Sequence, residues 1–131
     1  MLENTVRAIL VDDSRTIRMI VKKFLLAEGF VEIFEAGDGR EALAKLQEVG
    51  LVDLAVVDWN MPVMDGLEFV KELRGNKAFD STRIVMLTTE AEVFNAPVAL
   101  DSGANAFMNK PFKADVLRSK LASLGFKRPV A

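Results

Sequence analysis

The chain has 131 residues, half of them apolar and 27% charged, with no cysteine and no histidine; at this length a single domain can bury about 70% of its extended-chain surface. Disulfide frameworks, thiolate or imidazole metal sites and Ser-His or Cys-His catalysis are excluded, so any chemistry rests on carboxylates, lysines and hydroxyls. Seventeen basic against nineteen acidic side chains give a net charge of -2, a balance that does not point to nucleic acid, and neither a membrane span nor a signal peptide is legible, so a cytoplasmic protein is expected.

Short apolar runs alternate with amphipathic stretches along the whole chain, the pattern of a parallel α/β sheet. Arg7-Ala8-Ile9-Leu10-Val11 reads as the first strand. Ile17, Ile20, Val21 and Phe24 recur at helical spacing and predict an inward-facing stripe on a helix stopped near Gly29. Val31 to Glu35 alternates apolar with charged residues, which suits an edge strand exposed on one face.

Asp38 and Glu41 predict an N-cap and N3 pair for a second helix, closed by Gly50, with Ala42, Leu43, Leu46 and Val49 inward. Leu54-Ala55-Val56-Val57 and Ile84 to Leu87 read as strands buried on both faces. Between them Asp65 opens a helix carrying Leu67, Val70 and Leu73. Ala106-Phe107-Met108 is a last short strand, and Ala114, Leu117, Leu121 and Leu124 mark a last helix before Gly125. No linker or internal repeat is visible, so a single doubly wound α/β domain is expected.

In such sheets ligands bind beyond the carboxyl ends of the strands, near the switch point of the strand order. The residues there are Asp12 and Asp13, Asp58, Thr88 and Lys110. Taken singly, Asp13 and Asp38 would read as helix caps, Thr88 as a turn residue and Lys110 as a solvated lysine. Their joint occurrence at strand ends favours a site. Three carboxylates together call for a cation, and an all-oxygen ligand set favours magnesium. Lys110 and Thr88 suit phosphoryl oxygens, and a carboxylate can serve as an oxygen nucleophile.

Val11-Asp12-Asp13-Ser14, Val57-Asp58-Trp59-Asn60-Met61-Pro62, Met64-Asp65-Gly66, Thr88-Thr89 and Asn109-Lys110-Pro111-Phe112 resemble the receiver domain of two-component response regulators. The spacings agree as well: 45 residues from Asp13 to Asp58, 30 to Thr88 and 22 to Lys110. Within that family the chain is most similar to the stand-alone, CheY-like chemotaxis regulators. The resemblance implies a flavodoxin-like, five-stranded parallel sheet of order 2-1-3-4-5, a receiver domain over residues 5–125 and a flexible tail over 126–131.

The resemblance further implies that Asp58 is the phosphorylation site and that Mg2+ is held by Asp12, Asp13, Asp58 and the Asn60 backbone carbonyl. Lys110 pairs with the phosphoryl group, and the Lys110–Pro111 bond is cis. Thr88 and Phe107 form the switch, and Asn60 and Glu90 tune dephosphorylation. The implied partners are a sensor histidine kinase as phosphodonor, a target docking on the face of the fourth helix, fifth strand and fifth helix, and a phosphatase. The protein would be a monomer that assists its own phosphorylation and dephosphorylation rather than an enzyme acting on other molecules.

Two features depart from the pattern. Phe107 stands where many chemotaxis regulators have tyrosine, so the switch works through packing alone. Pro97 falls inside the expected fourth helix, where a proline removes a hydrogen bond and clashes with the preceding turn. A short or kinked helix is therefore expected, capped by Asn95 with Pro97 in its first turn and preceded by a loop from Thr89 to Phe94.

Rival functions are a phosphorelay receiver, a receiver excised from a larger regulator, a phosphatase with an aspartate nucleophile, and a flavin-binding module. The phosphatase would want a D-x-D pattern and a cap insertion. The flavin module's phosphate loop would want hydroxyl and amide donors where Asp12 and Asp13 offer repulsion.

Overall fold

The computed structural model describes residues 6–89 and 95–126. The elements run β1 (Arg7–Val11), α1 (Arg15–Ala27), β2 (Glu32–Ala36), α2 (Gly39–Val49), β3 (Leu54–Asp58), α3 (Gly66–Arg74), a 3-10 turn (Lys77–Phe79), β4 (Arg83–Thr88), α4 (Ala96–Asp101), β5 (Ala106–Asn109) and α5 (Ala114–Ser123). The five strands are parallel in the order β2-β1-β3-β4-β5, the flavodoxin-like order expected from the sequence.

Strand alternation splits the core into two layers. Ile9 and Val11 point to the side where Phe69, Val70 and Leu73 of α3 and Ala42 and Leu46 of α2 pack. Ala8 and Leu10 point to the other, against Val21 and Leu25 of α1 and Leu117 and Leu121 of α5. Covered on both faces, β3 is buried at every position, and each fully buried Leu, Ile or Val contributes roughly 1.5–3 kcal/mol. β2 lies at the edge of the sheet as expected, but it is not exposed on one face: the adjacent Ile33 and Phe34 pack against opposite core layers, because helices cover both sides even of the edge strand.

The inward stripe of α1 differs from the expected one. Ile20 is 41% exposed, and Leu25 is wholly buried in its place. Residues 17, 21, 24 and 25 continue one face over two turns, whereas position 20 lies at its margin, where the sheet no longer covers it.

Local signals set the helix starts. Asp38 accepts the Glu41 N–H at 2.8 Å. The reciprocal capping box forms at α3, where Asp65 accepts the Glu68 N–H and Glu68 accepts the Asp65 N–H. α4 has only six residues, with Asn95 at its N-cap position and Pro97 in its first turn. The Asn95 side chain makes no capping hydrogen bond, and residues 90–94 of the expected preceding loop lie outside the described residues. At the other end, Phe126, expected to begin the tail, packs its ring 5.4 Å from that of Phe30. The rest of that tail lies outside the described residues. No helix among those described is long and apolar enough to cross a membrane.

Candidate functional site

The strand order reverses between β1 and β3, and the carboxyl ends of these two strands carry Asp12, Asp13 and Asp58. One carboxylate oxygen from each lies within 4.8 Å of the others. Asp12 and Asp58 are buried, at 2% and 4% exposure, and Asp13 is exposed. The loop geometry keeps all three for the site: Ser14, not Asp13, caps α1 by accepting the Ile17 N–H. Asp12 Oδ1 accepts the Ser14 N–H at 2.8 Å, which fixes its rotamer.

Across the sheet, Asp58 pairs in register with Leu87 and Thr88 with Asn109. Thr88 and Lys110 therefore reach the same rim. Lys110 Nζ lies 2.7 Å from Asp58 Oδ1 and 3.4 Å from Asp12 Oδ2. The second contact is an ion pair without hydrogen-bond geometry, and Asp12 Oδ2 is buried with no hydrogen-bond partner among the described residues. The Lys110–Pro111 bond is cis, as the resemblance implies.

Electrostatics at the cluster are frustrated. Burial, then the charges of Asp12 and Asp13, pushes the Asp58 carboxyl up to about 6 despite the Lys110 hydrogen bond. Burial likewise raises Asp12 against the Ser14 N–H and the Lys110 charge. Burial pulls the Lys110 ammonium down, but the Asp58 hydrogen bond and the charges of Asp12 and Asp58 outweigh it, so its net direction is up. One ammonium is shared between two buried carboxylates, and a third carboxylate, Asp13, lies beside them. An orphaned buried oxygen and an all-oxygen donor set fit a small hard cation such as Mg2+.

The remaining predicted residues are spread around this centre. Asn60 is exposed two positions beyond Asp58, on a loop closed by the Gly66 N–H donating to the Trp59 carbonyl at 2.8 Å. A Cβ at Gly66 would run into the Asp58 backbone carbonyl, so this close approach requires glycine. Thr88 is wholly buried, its hydroxyl turned toward β5. Phe107 is half-buried on β5 under Lys120, whose Nζ is 5.7 Å from the ring centroid. Glu90 lies outside the described residues.

Sequence reasoning missed two side chains at this rim. Arg18 donates to the Asp12 backbone carbonyl and, at 3.0 Å, to Glu35 Oε1, tying α1 to β1 and β2. Asn109 accepts from Thr88 at 3.0 Å. Its position at the end of β5, one residue before Lys110, was the available signal.

Known proteins place the chain in a family. Residues 8–122 match the family described as response regulator receiver domain. The chain is 39% identical over 115 residues to chemotaxis protein CheY1 of Helicobacter pylori, covering 88% of this chain and 93% of that protein. It is 40% identical over 115 residues to the chemotaxis protein CheY homolog of Campylobacter jejuni, covering 88% of each. The solved structure of chemotaxis protein CheY4 of Vibrio cholerae superposes with a TM-score of 0.83 at 39% identity, covering 92% of this chain and 99% of that one. Receiver domains are signalling modules, and membership implies a histidine kinase as phosphodonor and a downstream target. The chain belongs to the response regulator receiver domain family, with CheY-type chemotaxis proteins among its relatives.

Proposed function

We propose that this chain carries a phosphoryl signal on Asp58, received from a phosphohistidine of a partner kinase, in a chemotaxis pathway. The clustering of Asp12, Asp13 and Asp58, two of them paired with one lysine and a buried Asp12 oxygen accepting no hydrogen bond among the described residues, is the observation that carries the reading. The chemotaxis assignment is supported by the relatives alone.

Asp12, Asp13, Asp58 and the Asn60 backbone carbonyl would hold Mg2+. The ion, when bound, supplies neutralisation of charge on the transferring group. The Asp58 carboxylate attacks phosphorus in line: the new O–P bond forms as the N–P bond to the donor histidine breaks, and the imidazole leaves with that electron pair. Lys110 holds one phosphoryl oxygen and the Thr88 hydroxyl another. Thr88 moving inward vacates space that Phe107 fills, and the face made by α4, β5 and α5 is repacked. Asn60 and Glu90 set how long the acyl phosphate lasts.

That face suits a target. Val98 and Leu100 on α4 and Val116 on α5 are each at least 40% exposed. A shallow cleft at Val116 is lined by Phe107, Pro111, Phe112 and Lys120 as well. Trp59, the single tryptophan, adjoins Asp58 and reports on the site. In the presence of magnesium, beryllofluoride should change its emission, and Asp58→Asn should abolish that change. An unaltered response in the variant contradicts the assignment of Asp58.

A further inference from the structure

Thr88 and Asn109 face each other across β4 and β5. The buried Thr88 hydroxyl donates to Asn109 Oδ1 at 3.0 Å and to the Met108 carbonyl at 3.2 Å. A hydroxyl has one proton to donate. While it is shared between these two acceptors it is unavailable to a phosphoryl oxygen. The backbone pairing beside it is independent of the side chain, since the Lys110 N–H donates to the Thr88 carbonyl at 2.7 Å.

We propose that Asn109 is a positioning residue that latches Thr88 in its resting arrangement and so sets how readily the site responds to a phosphoryl group. The proposal rests on the phosphoacceptor reading of Asp58. The Met108 carbonyl is present whatever residue stands there, so the Asn109 amide is the part of the latch that the sequence selects. Asparagine is disfavoured in strands, and here it sits exposed at the last position of β5 with its amide turned onto a buried hydroxyl. The hydrogen bond exists only in the resting arrangement, because a Thr88 proton engaged by a phosphoryl group has left Asn109. Removing an interaction made in one of two states shifts the balance toward the other.

The test is a beryllofluoride titration in magnesium, followed by Trp59 emission, on the wild type, Asn109→Ala, Asn109→Leu, Thr88→Val and the double variant Thr88→Val/Asn109→Ala. Both Asn109 variants should reach their midpoint at beryllofluoride concentrations about two- to tenfold lower than the wild type, the range one neutral hydrogen bond supplies. In the Thr88→Val background the Asn109 substitution should produce no shift, an outcome that a merely structural role of Asn109 would not give. An unchanged or raised midpoint in either single variant, with the wild type responding, overturns the latch and leaves the phosphoacceptor reading standing. An equal shift with and without the Thr88 hydroxyl also overturns it. A wild type that does not respond overturns both.

Discussion

Lys110 Nζ and Asp58 Oδ1, 2.7 Å apart, form the shortest ion pair among the described residues, yet the Asp58 carboxyl still titrates near 6 rather than at 3.8. Desolvation wins over the lysine because Asp58 is 4% exposed and Asp12 and Asp13 crowd it with like charge.

The sign of the pH dependence follows. A carboxylate whose folded pKa is raised is destabilising when ionised, so its penalty is complete above about pH 6 and is relieved as pH falls toward its unfolded value of 3.8. Asp12 acts in the same direction. With divalent cations chelated, the protein should be more stable at pH 5.5 than at pH 7.5 by about 1 kcal/mol, a rise in Tm of about 3–5 °C. Asp58→Asn should flatten that profile. Thermal melts at the two pH values decide it, and greater stability at pH 7.5 would refute the prediction.

Magnesium should reverse the trend. A cation bound by the ionised cluster stabilises the folded state by about 1.4 kcal/mol at ten times its Kd. The gain should be larger at pH 7.5 than at pH 5.5, where protons compete for Asp58. Asp13→Asn should remove most of it, measured as the Tm increment on adding magnesium; an increment unchanged in that variant would place the ion elsewhere.

Val63 is the one described non-glycine residue with positive φ, at 68°, and the Met64 N–H donates to the Pro62 carbonyl across it at 2.7 Å. This is a γ-turn centred on a β-branched residue, and the side chain is 76% exposed, so little packing offsets the strain. Val63→Gly or Val63→Asn should stabilise the fold by about 1 kcal/mol, seen as a higher denaturation midpoint. A lower midpoint for Val63→Asn would show that the valine makes a contact the turn needs.

Arg74, at the end of α3, donates to the carbonyls of Gly103, Phe79 and Thr82 and to Asn105 Oδ1, all at 2.7–2.9 Å. It joins α3 to the starts of β4 and β5, at the end of the sheet opposite the carboxylate cluster. Arg74→Ala should cost about 2–4 kcal/mol while leaving the beryllofluoride midpoint within about twofold. Chemical denaturation and the Trp59 titration read the two effects separately, and a large change in the second would show that the two ends of the sheet are coupled.

Much of this architecture is legible in the chain because its strands are covered on both faces or one. The unbroken apolar runs of β3 and β4 follow from that coverage, and the adjacent Ile33 and Phe34 of β2 serve the two layers in turn. Helix starts at Asp38 and Asp65 are local and equally readable. The position of Ile20 was misplaced because period alone gives the width of a stripe, not where the sheet ends beneath it. The carboxylates, Thr88 and Lys110 could be found as strand-end residues. The Thr88–Asn109 bond could not, since it depends on the β4–β5 register and on side-chain rotamers that no local pattern encodes. The cap of α1 is local too, and it falls to Ser14, which leaves Asp13 to the cluster.

The central claim is tested most directly by locating the phosphoryl group. After incubation with acetyl phosphate and magnesium, mass mapping should find one phosphoryl group, on the peptide containing Asp58, and none in Asp58→Asn or without the metal. A phosphoryl group on another residue, or one that persists in Asp58→Asn, would contradict the account.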